Sequence, residues 1–303
     1  MAKSEGAVRP PHTPSRPRKG GGDATTPGFR AQSPLSWRAQ KLDSVATIAL
    51  AALIGLQSAS FAVADELVTF TAAAPRGQTG IDIRGYLAKP KGNGPFPAVI
   101  LLHSCLGLPS NRHAIESALA SSGYVALFVD DFATRGLRET CAVNFPEALP
   151  DAYGALAYLS RLPTVDPSRI AAVGFSQGAD TALRIASSGA ASGFAIPDGL
   201  KFRAAAAFYP PCSNVESERL KIPTLILVGS ADGVTPAADC ELLARNQPGD
   251  VKLVVYPRAG HCFDDPVFDG GKSVMGMTLK YDPDAAKRSK QDLGGFLAQN
   301  LAR

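Results

Sequence analysis

A serine, an aspartate and a histidine occur in this chain in an order that suits nucleophilic chemistry. Ser176 lies in a Gly-Phe-Ser-Gln-Gly stretch, Asp232 in Gly-Ser-Ala-Asp-Gly, and His261 in Ala-Gly-His-Cys-Phe. A serine hydroxyl needs a base to take its proton, and the base needs an acid to hold it in orientation. The three residues therefore predict a Ser-Asp-His triad for acyl transfer.

The pattern around Ser176 predicts a sharp turn between a strand and a helix. An apolar run, Arg169–Phe175, precedes the serine, and a helical pattern at Ala179–Ala186 follows it. In such a turn the serine hydroxyl is pushed out of the sheet, and the flanking glycines leave room for the neighbouring strand and helix. The alternative is a glycine-rich turn with a solvated serine, which would not need the flanking strand and helix.

The base and the acid are chosen by their position after the serine. Of the three histidines beyond residue 64, at 103, 113 and 261, only His261 follows Ser176. Asp232 and His261 each come after a predicted strand, and the order Ser…Asp…His is that of this kind of site. Four other aspartates also lie near strand ends: Asp130, Asp131, Asp264 and Asp265. The last two are too close to His261 in sequence to orient its ring easily.

Backbone N–H groups near the nucleophile are expected to stabilise the oxyanion of the reaction. One would come from Gln177, and a second from the loop that follows the predicted strand Phe96–His103. In that loop Cys105 is the favoured donor, Ser104 is a possible substrate contact, and His103 is expected to be structural.

Arg135 and Arg138 are candidate substrate-binding residues in the loop after another predicted strand. An arginine there could hold a substrate carboxylate through two parallel hydrogen bonds. A solvated loop with local ion pairs is an equally good interpretation of the same residues.

Strands alternate with helices along residues 65–303, which is typical of a single α/β domain with a mostly parallel sheet covered on both faces. The first two strands, Glu66–Ala74 and Ile81–Lys89, are predicted to pair antiparallel. Later strands are predicted at Phe96–His103, Tyr124–Asp130, Arg169–Phe175, Phe202–Tyr209, Thr224–Ser230 and Val251–Tyr256, and helices at Asn111–Ser122, Pro146–Leu162, Ala179–Ala186, Ala237–Arg245 and Gln291–Leu301.

The first 64 residues differ in composition from the rest. Residues 1–40 are rich in Pro, Gly, Ser, Thr and Arg and are expected to be a disordered extension. Residues 41–64 hold a basic flank, a 12-residue apolar centre and small residues before Asp65. This pattern predicts a secretory signal peptide, cleaved near Ala64, and export to the periplasm or the medium. An uncleaved membrane anchor is the alternative, although a span takes about 20 apolar residues.

The charge of the chain is concentrated in this leader. Residues 1–64 contain 8 Lys and Arg against 3 Asp and Glu, which leaves 23 against 24 in residues 65–303. The mature part is therefore close to neutral and shows no basic patch that would indicate a nucleic-acid partner.

The five cysteines, at 105, 141, 212, 240 and 262, lack the Cys-x-x-Cys spacing of a metal site. In an oxidising compartment disulfides are the expected state. The sequence does not determine the pairing; our hypothesis is Cys105–Cys141 and Cys212–Cys240, with Cys262 free. No metal or other cofactor is expected.

Over about residues 80–301 the chain resembles the dienelactone hydrolase family of α/β-hydrolases. The resemblance depends on His-Ser-Cys-Leu-Gly-Leu from His103, the Gly-Phe-Ser-Gln-Gly turn, Gly-Ser-Ala-Asp-Gly-Val-Thr-Pro and Ala-Gly-His-Cys-Phe-Asp. Residues 131–141 and 281–286 resemble the exported members. The best-known members carry a cysteine where this chain has Ser176 and a glutamate where it has Ser104, so dienelactone itself is not the expected substrate.

Together, the triad and the resemblance predict a serine hydrolase of carboxylic esters or lactones that acts through an acyl-enzyme. The partner would be a small-molecule substrate, the protein would be a monomer or small homo-oligomer, and membrane association would follow only from an uncleaved leader. An acyltransferase or a peptidase would use the same triad. A non-catalytic binding protein with the same fold is the alternative from a different class.

Overall fold

The structure, a computed structural model, describes residues 65–142, 148–187, 193–197, 199–247 and 251–302. The predicted extension at 1–40 and the predicted signal peptide at 41–64, with its cleavage position, lie outside these residues.

The described residues form ten strands and five α-helices. The strands are β1 Glu66–Thr71, β2 Asp82–Ala88, β3 Phe96–Leu102, β4 Val125–Asp130, β5 Val165–Phe175, β6 Ala204–Phe208, β7 Thr224–Gly229, β8 Val251–Tyr256, β9 Lys272–Val274 and β10 Met277–Leu279. The helices are α1 Arg112–Ser121, α2 Leu149–Leu159, α3 Gln177–Ala186, α4 Ala237–Arg245 and α5 Pro283–Asn300.

Eight strands form one sheet in the order β1-β2-β4-β3-β5-β6-β7-β8. The β1/β2 and β2/β4 pairs are antiparallel, and β3, β4, β5, β6, β7 and β8 pair in parallel. Every residue of β4, β6 and β7 is buried, as expected for strands covered on both faces. The predicted mostly parallel α/β sheet is confirmed, and its parallel strands all end at one edge.

The structure differs from the predicted elements at the end of the chain. Helix α5 begins at Pro283 rather than Gln291, because the Asp282 carboxylate accepts a hydrogen bond from the Ala285 N–H at 2.9 Å and Pro283 suits the first helical turn. The hairpin of β9 and β10 was not predicted, since strands of three residues are too short to show an alternating pattern.

Both disulfides of the pairing hypothesis are present, Cys105–Cys141 and Cys212–Cys240, and Cys262 is a buried free thiol. Two disulfides indicate an exported protein, because cytosolic thiols are kept reduced. Among the helices that the structure describes, none is long and apolar enough to cross a bilayer.

Candidate active site

Ser176 lies in the tight turn between β5 and α3, with backbone angles φ 52° and ψ −111°. A Cβ at Gly174 would lie 2.0 Å from the Gly178 carbonyl oxygen, and one at Gly178 would lie 2.2 Å from the Leu102 carbonyl oxygen. Any side chain at either position would therefore force the turn open. The Ser176 N–H donates to the Phe208 carbonyl at 3.0 Å, which ties the turn to β6.

The structure brings the three predicted triad residues together at the carboxyl edge of the sheet. The Oγ of Ser176 lies 3.0 Å from Nε2 of His261, and Nδ1 of His261 lies 2.8 Å from Oδ2 of Asp232. Asp232 follows β7, and His261 follows β8. His261 and Asp232 are buried, whereas Ser176 is partly exposed. A partly exposed hydroxyl on a buried base leaves room for a reacting carbonyl.

Asp232 is held as a carboxylate by its neighbours. Its Oδ1 accepts the N–H groups of Val234 at 2.8 Å and Thr235 at 2.9 Å. Burial opposes ionisation, but the hydrogen bond and charge of His261 and these backbone donors outweigh it and hold the pKa of Asp232 below its ordinary value. The negative charge facing His261 Nδ1 is thereby maintained.

Thr235 is a member of this network that sequence reasoning missed. Its hydroxyl lies 3.0 Å from Asp232 Oδ2, 3.2 Å from His261 Nδ1 and 3.1 Å from the Tyr209 carbonyl oxygen. The sequence signal that could have identified Thr235 is its position three residues after Asp232, within the same turn.

The rival aspartates are engaged elsewhere. Asp264 accepts the Tyr209 hydroxyl at 2.7 Å, Asp265 accepts the Val267 N–H at 3.0 Å, and Asp130 accepts the Ala133 N–H at 3.1 Å. Asp232 is thus the carboxylate that touches the ring of His261 among the residues described.

Cys262, directly after His261, does not offer a second nucleophile. Burial, together with the charges of Asp264 and Asp265, raises the pKa of its thiol, so the group stays protonated at neutral pH.

The two predicted oxyanion donors, the N–H groups of Gln177 and Cys105, lie on two separate segments of the chain. Gln177 is the first residue of α3, so its N–H has no acceptor within the helix. In the turn after β3, Ser104 already accepts the N–H groups of Leu106 and Gly107, through Oγ at 3.2 Å and O at 3.0 Å. Cys105, the predicted second donor, lies between these residues in the same turn.

Thr140 is the connecting residue, and the sequence did not single it out. Its N–H donates to the Cys105 carbonyl at 2.8 Å, and its hydroxyl donates to the Gln177 side-chain oxygen at 2.9 Å. Thr140 is almost fully buried and precedes Cys141 of the disulfide to Cys105. Residues 140–141 are therefore joined to the Cys105 turn by a disulfide and one hydrogen bond, and to Gln177 by a second hydrogen bond.

His103 occupies the structural position expected for it, at the end of β3. Its Nδ1 lies 2.8 Å from the Ser104 carbonyl oxygen, and its Nε2 lies 2.6 Å from Asp131 Oδ1. The second contact is a close ion pair, and neither of its two atoms has another partner among the described residues. Burial opposes protonation, but Asp131 and the Ser104 carbonyl outweigh it and raise the pKa of His103.

The two candidate arginines are placed differently from a substrate clamp. Arg135 donates to both carboxylate oxygens of the buried Asp151, at 2.8 and 3.2 Å, and to the Asp131 carbonyl at 2.6 Å. Arg138 is exposed, and neither arginine lines the cavity near Ser176. We therefore assign neither side chain to the substrate.

A cavity of about 180 Å³ is lined by sequence neighbours of the triad residues, although Ser176, Asp232 and His261 are not themselves in its lining. Phe175 and Cys262, the sequence neighbours of Ser176 and His261, form part of its wall, as does Ser104. The other lining residues are His103, Leu106, Gly107, Leu108, Pro109, Ser110, Asn111, Ile115, Tyr209, Asp264, Asp265, Val267 and Phe268.

One cluster within the described residues has the spacing of metal ligands: Asp65, His113 and Glu116. The Arg112 guanidinium lies between the two carboxylates and forms an ion pair with each of them. Both carboxylates are thus already engaged by a cation of the protein, and none of the three residues lines the cavity.

Comparison with known proteins agrees with this fold. The profile of the dienelactone hydrolase family matches residues 83–301. A protein of Methylorubrum extorquens, provisionally named a carboxymethylenebutenolidase, is 27% identical over 290 residues, which cover 86% of this chain and 98% of that protein. Esterase FrsA of Klebsiella pneumoniae is 32% identical over 106 residues, 35% of this chain and 25% of the esterase.

Solved structures show the same fold. The crystal structure of a dienelactone hydrolase-like promiscuous phosphotriesterase from metagenomic libraries superposes with a TM-score of 0.58 at 21% identity, over 78% of this chain and 99% of that one. The family match spans most of the residues that build the sheet and all three residues of the Ser-Asp-His arrangement. The chain is a hydrolase and belongs to the dienelactone hydrolase family.

Proposed function

We propose that this protein is an exported serine hydrolase of small carboxylic esters or lactones. The observation that supports it most is the continuous contact from Ser176 Oγ through His261 to Asp232, at 3.0 and 2.8 Å. These are the distances at which a base takes a hydroxyl proton and an acid orients the base.

In the proposed reaction Ser176 Oγ attacks the carbonyl carbon while His261 Nε2 takes its proton. The N–H groups of Gln177 and Cys105 receive the negative charge that forms on the carbonyl oxygen. His261 then gives the proton to the leaving alcohol, and the acyl-enzyme remains. Water attacks this ester with His261 again as base, which releases the acid and restores Ser176. Asp232 stays ionised throughout and stabilises the imidazolium.

The experiment is hydrolysis of p-nitrophenyl butyrate by the purified, oxidised protein, beside Ser176→Ala. We expect turnover by the wild type and a loss of about 10⁴-fold or more in the variant. Labelling by a fluorophosphonate, followed by peptide mapping, should place the adduct on Ser176. A folded wild type that neither turns over short esters nor takes the label would overturn the proposal.

Export is part of the proposal, and it is supported by the leader pattern at 41–64 and the two disulfides. We expect the mature protein to begin at or near Asp65. Intact mass and N-terminal sequencing of the protein from its native compartment test this, and a retained leader in the membrane fraction would support the anchor instead.

A further inference from the structure

The cavity beside Ser176 is lined by two carboxylates, Asp264 and Asp265. No Lys or Arg lines it among the residues that the structure describes. The internal stretches outside that description, 143–147, 188–192, 198 and 248–250, contain no Lys or Arg in their sequence either. The one basic lining residue, His103, is already paired with Asp131. The wall of the cavity therefore carries net negative charge.

Building on the proposed function, we propose that this cavity selects esters or lactones whose arm is uncharged or cationic and discriminates against those that carry a carboxylate. The name of the Methylorubrum relative denotes a lactone that bears a carboxyl group. On this proposal the present chain disfavours a substrate with such a carboxyl group.

Both carboxylates are fixed in place. Asp264 is buried and accepts the Tyr209 hydroxyl at 2.7 Å, and Tyr209 in turn packs edge-on against the His261 ring with centroids 4.6 Å apart. Asp265 accepts the Val267 N–H at 3.0 Å. Neither side chain can easily turn away from an incoming anion, because each would lose a hydrogen bond that the protein supplies.

Ionisation of Asp264 sets the pH range in which the selection is strongest. Burial raises the pKa of Asp264 to about 6, against the opposing effect of the Tyr209 hydroxyl. Asp265 adds to the increase, whereas Lys290 on α5 opposes it. Tyr209 and Cys262 stay neutral, since burial raises the pKa of both. Asp264 therefore adds its charge to the cavity above about pH 6, and below that pH the discrimination should weaken.

The available cations do not compensate these charges inside the cavity. Arg135 is occupied by Asp151, Arg138 is exposed, and Lys272 and Lys290 influence the two aspartates without lining the cavity.

The remaining wall suits a short, apolar arm. Most of its larger side chains are hydrophobic: Leu106, Leu108, Ile115, Phe175, Val267 and Phe268. The volume of about 180 Å³ is below the roughly 300–1,000 Å³ of sites for drug-sized ligands. One acyl or alcohol arm of a small ester fits this description, and a quaternary ammonium combines an apolar surface with the favoured charge.

The test compares esters that differ only in the charge of one arm. On the alcohol side, butyrylcholine is compared with its neutral isostere 3,3-dimethylbutyl butyrate. On the acyl side, p-nitrophenyl 5-methylhexanoate, in which an isopropyl group replaces the carboxylate, is compared with the p-nitrophenyl half-ester of glutaric acid. At pH 7.5 and low salt we expect kcat/KM for the anionic ester to be about 10-fold or more below that of the neutral one, and the cationic ester to equal or exceed its isostere.

Asp264→Asn and Asp265→Asn keep the shape of each side chain and remove one charge. Each should bring the anionic-to-neutral ratio of kcat/KM closer to one, and a ratio within one variant does not depend on the fraction that folds. Asp269→Asn is the matched control, because Asp269 lies in the same loop, is exposed and does not line the cavity. Its ratio should equal that of the wild type.

The outcomes separate the proposal from the proposed function. Turnover of the neutral ester with equal or faster turnover of the anionic ester would overturn the charge selection and leave the serine hydrolase intact. If Asp269→Asn changes the anionic-to-neutral ratio of kcat/KM as much as the cavity variants do, the selection comes from the overall charge of the protein. That result would overturn the assignment to the cavity. Absence of turnover for every ester would remove the proposed function, and the selection with it.

Discussion

Two buried histidines at the same edge of the sheet make a controlled comparison. His103 follows β3 and His261 follows β8, their side chains are each 3% exposed, and each lies against an aspartate. They differ in the group that contacts the ring nitrogen that does not face the aspartate. For His103 it is the Ser104 carbonyl oxygen at 2.8 Å, and for His261 it is the Ser176 hydroxyl at 3.0 Å.

That single partner decides what each ring can do. A carbonyl oxygen only accepts, so Nδ1 of His103 must carry a proton, and the Asp131 carboxylate favours a second proton on Nε2. The remaining nitrogen of His103 faces the Asp131 carboxylate, which raises the pKa of the ring and has no proton for it to take. A serine hydroxyl can donate, so Nε2 of His261 can hold a lone pair and act as base. Burial and an aspartate are common to both sites and do not by themselves make a base.

The largest expected effect comes from removing the base. His261→Gln should lower kcat/KM by about 10⁴-fold or more, because no other described group lies where it could take the Ser176 proton. Its stability should fall less than that of His103→Gln, because Asp232 keeps the N–H groups of Val234 and Thr235 as donors. Ester kinetics and thermal unfolding, measured side by side with His103→Gln, give the comparison, and a similar loss of activity in both variants at equal stability would contradict it.

Asp232→Asn should lower kcat by about 10³–10⁴-fold. The amide can still accept the N–H groups of Val234 and Thr235, but it presents no charge to stabilise the imidazolium of His261. Single-turnover kinetics measure the acylation step directly. A loss below 10-fold would mean that Thr235, whose hydroxyl also reaches His261 Nδ1, holds the ring without the carboxylate.

His103→Gln should act on stability first, by about 3–5 kcal/mol, because it leaves the buried Asp131 without its counter-charge. Activity should fall by a smaller factor, about 10-fold, since Ser104 and Cys105 lose their support at the oxyanion turn. The double variant with Asp131→Asn should recover part of the stability. Denaturant unfolding measures the free energy of unfolding of both variants. If the double variant recovers no stability, His103 and Asp131 do not stabilise the fold as a pair.

The raised pKa of His103 predicts the sign of a pH effect. A raised folded-state pKa contributes stability that is fully present below the ordinary pKa of histidine and is lost as the pH rises through the folded value. The wild type should therefore lose stability at alkaline pH relative to His103→Gln, which lacks this group. Unfolding curves across pH 6–9 check the direction, and parallel curves for the two proteins would refute it.

The smallest expected effect comes from Thr140→Val, which removes the hydroxyl bonded to Gln177 and retains the bond from its N–H to Cys105. We expect kcat to fall about 3- to 10-fold with KM unchanged, because the oxyanion forms only in the transition state. Thr140→Ser keeps the hydroxyl and should restore most of the activity. A change in KM alone would indicate that the Thr140 hydroxyl affects substrate binding rather than the transition state.

Much of the chemistry was predictable because it depends on neighbours in sequence. The glycines around Ser176 indicate the turn, the order of Ser176, Asp232 and His261 indicates the triad, and the apolar runs indicate buried parallel strands. The start of α5 could also have been predicted from Asp282 and Pro283, which are typical of a helix N-terminus. It was placed too late because these residues precede the apolar pattern on which the prediction relied.

Only the tertiary structure decided which polar side chains meet across long sequence separations. Thr140 reaches Gln177, Arg135 is bound by Asp151 instead of a substrate, and His103 is paired with Asp131. The two aspartates after His261 line the cavity because that loop folds back over the sheet edge. Periodicity specifies which face of an element is buried, but the partner of a buried charge is fixed by packing between elements, and no local pattern encodes it.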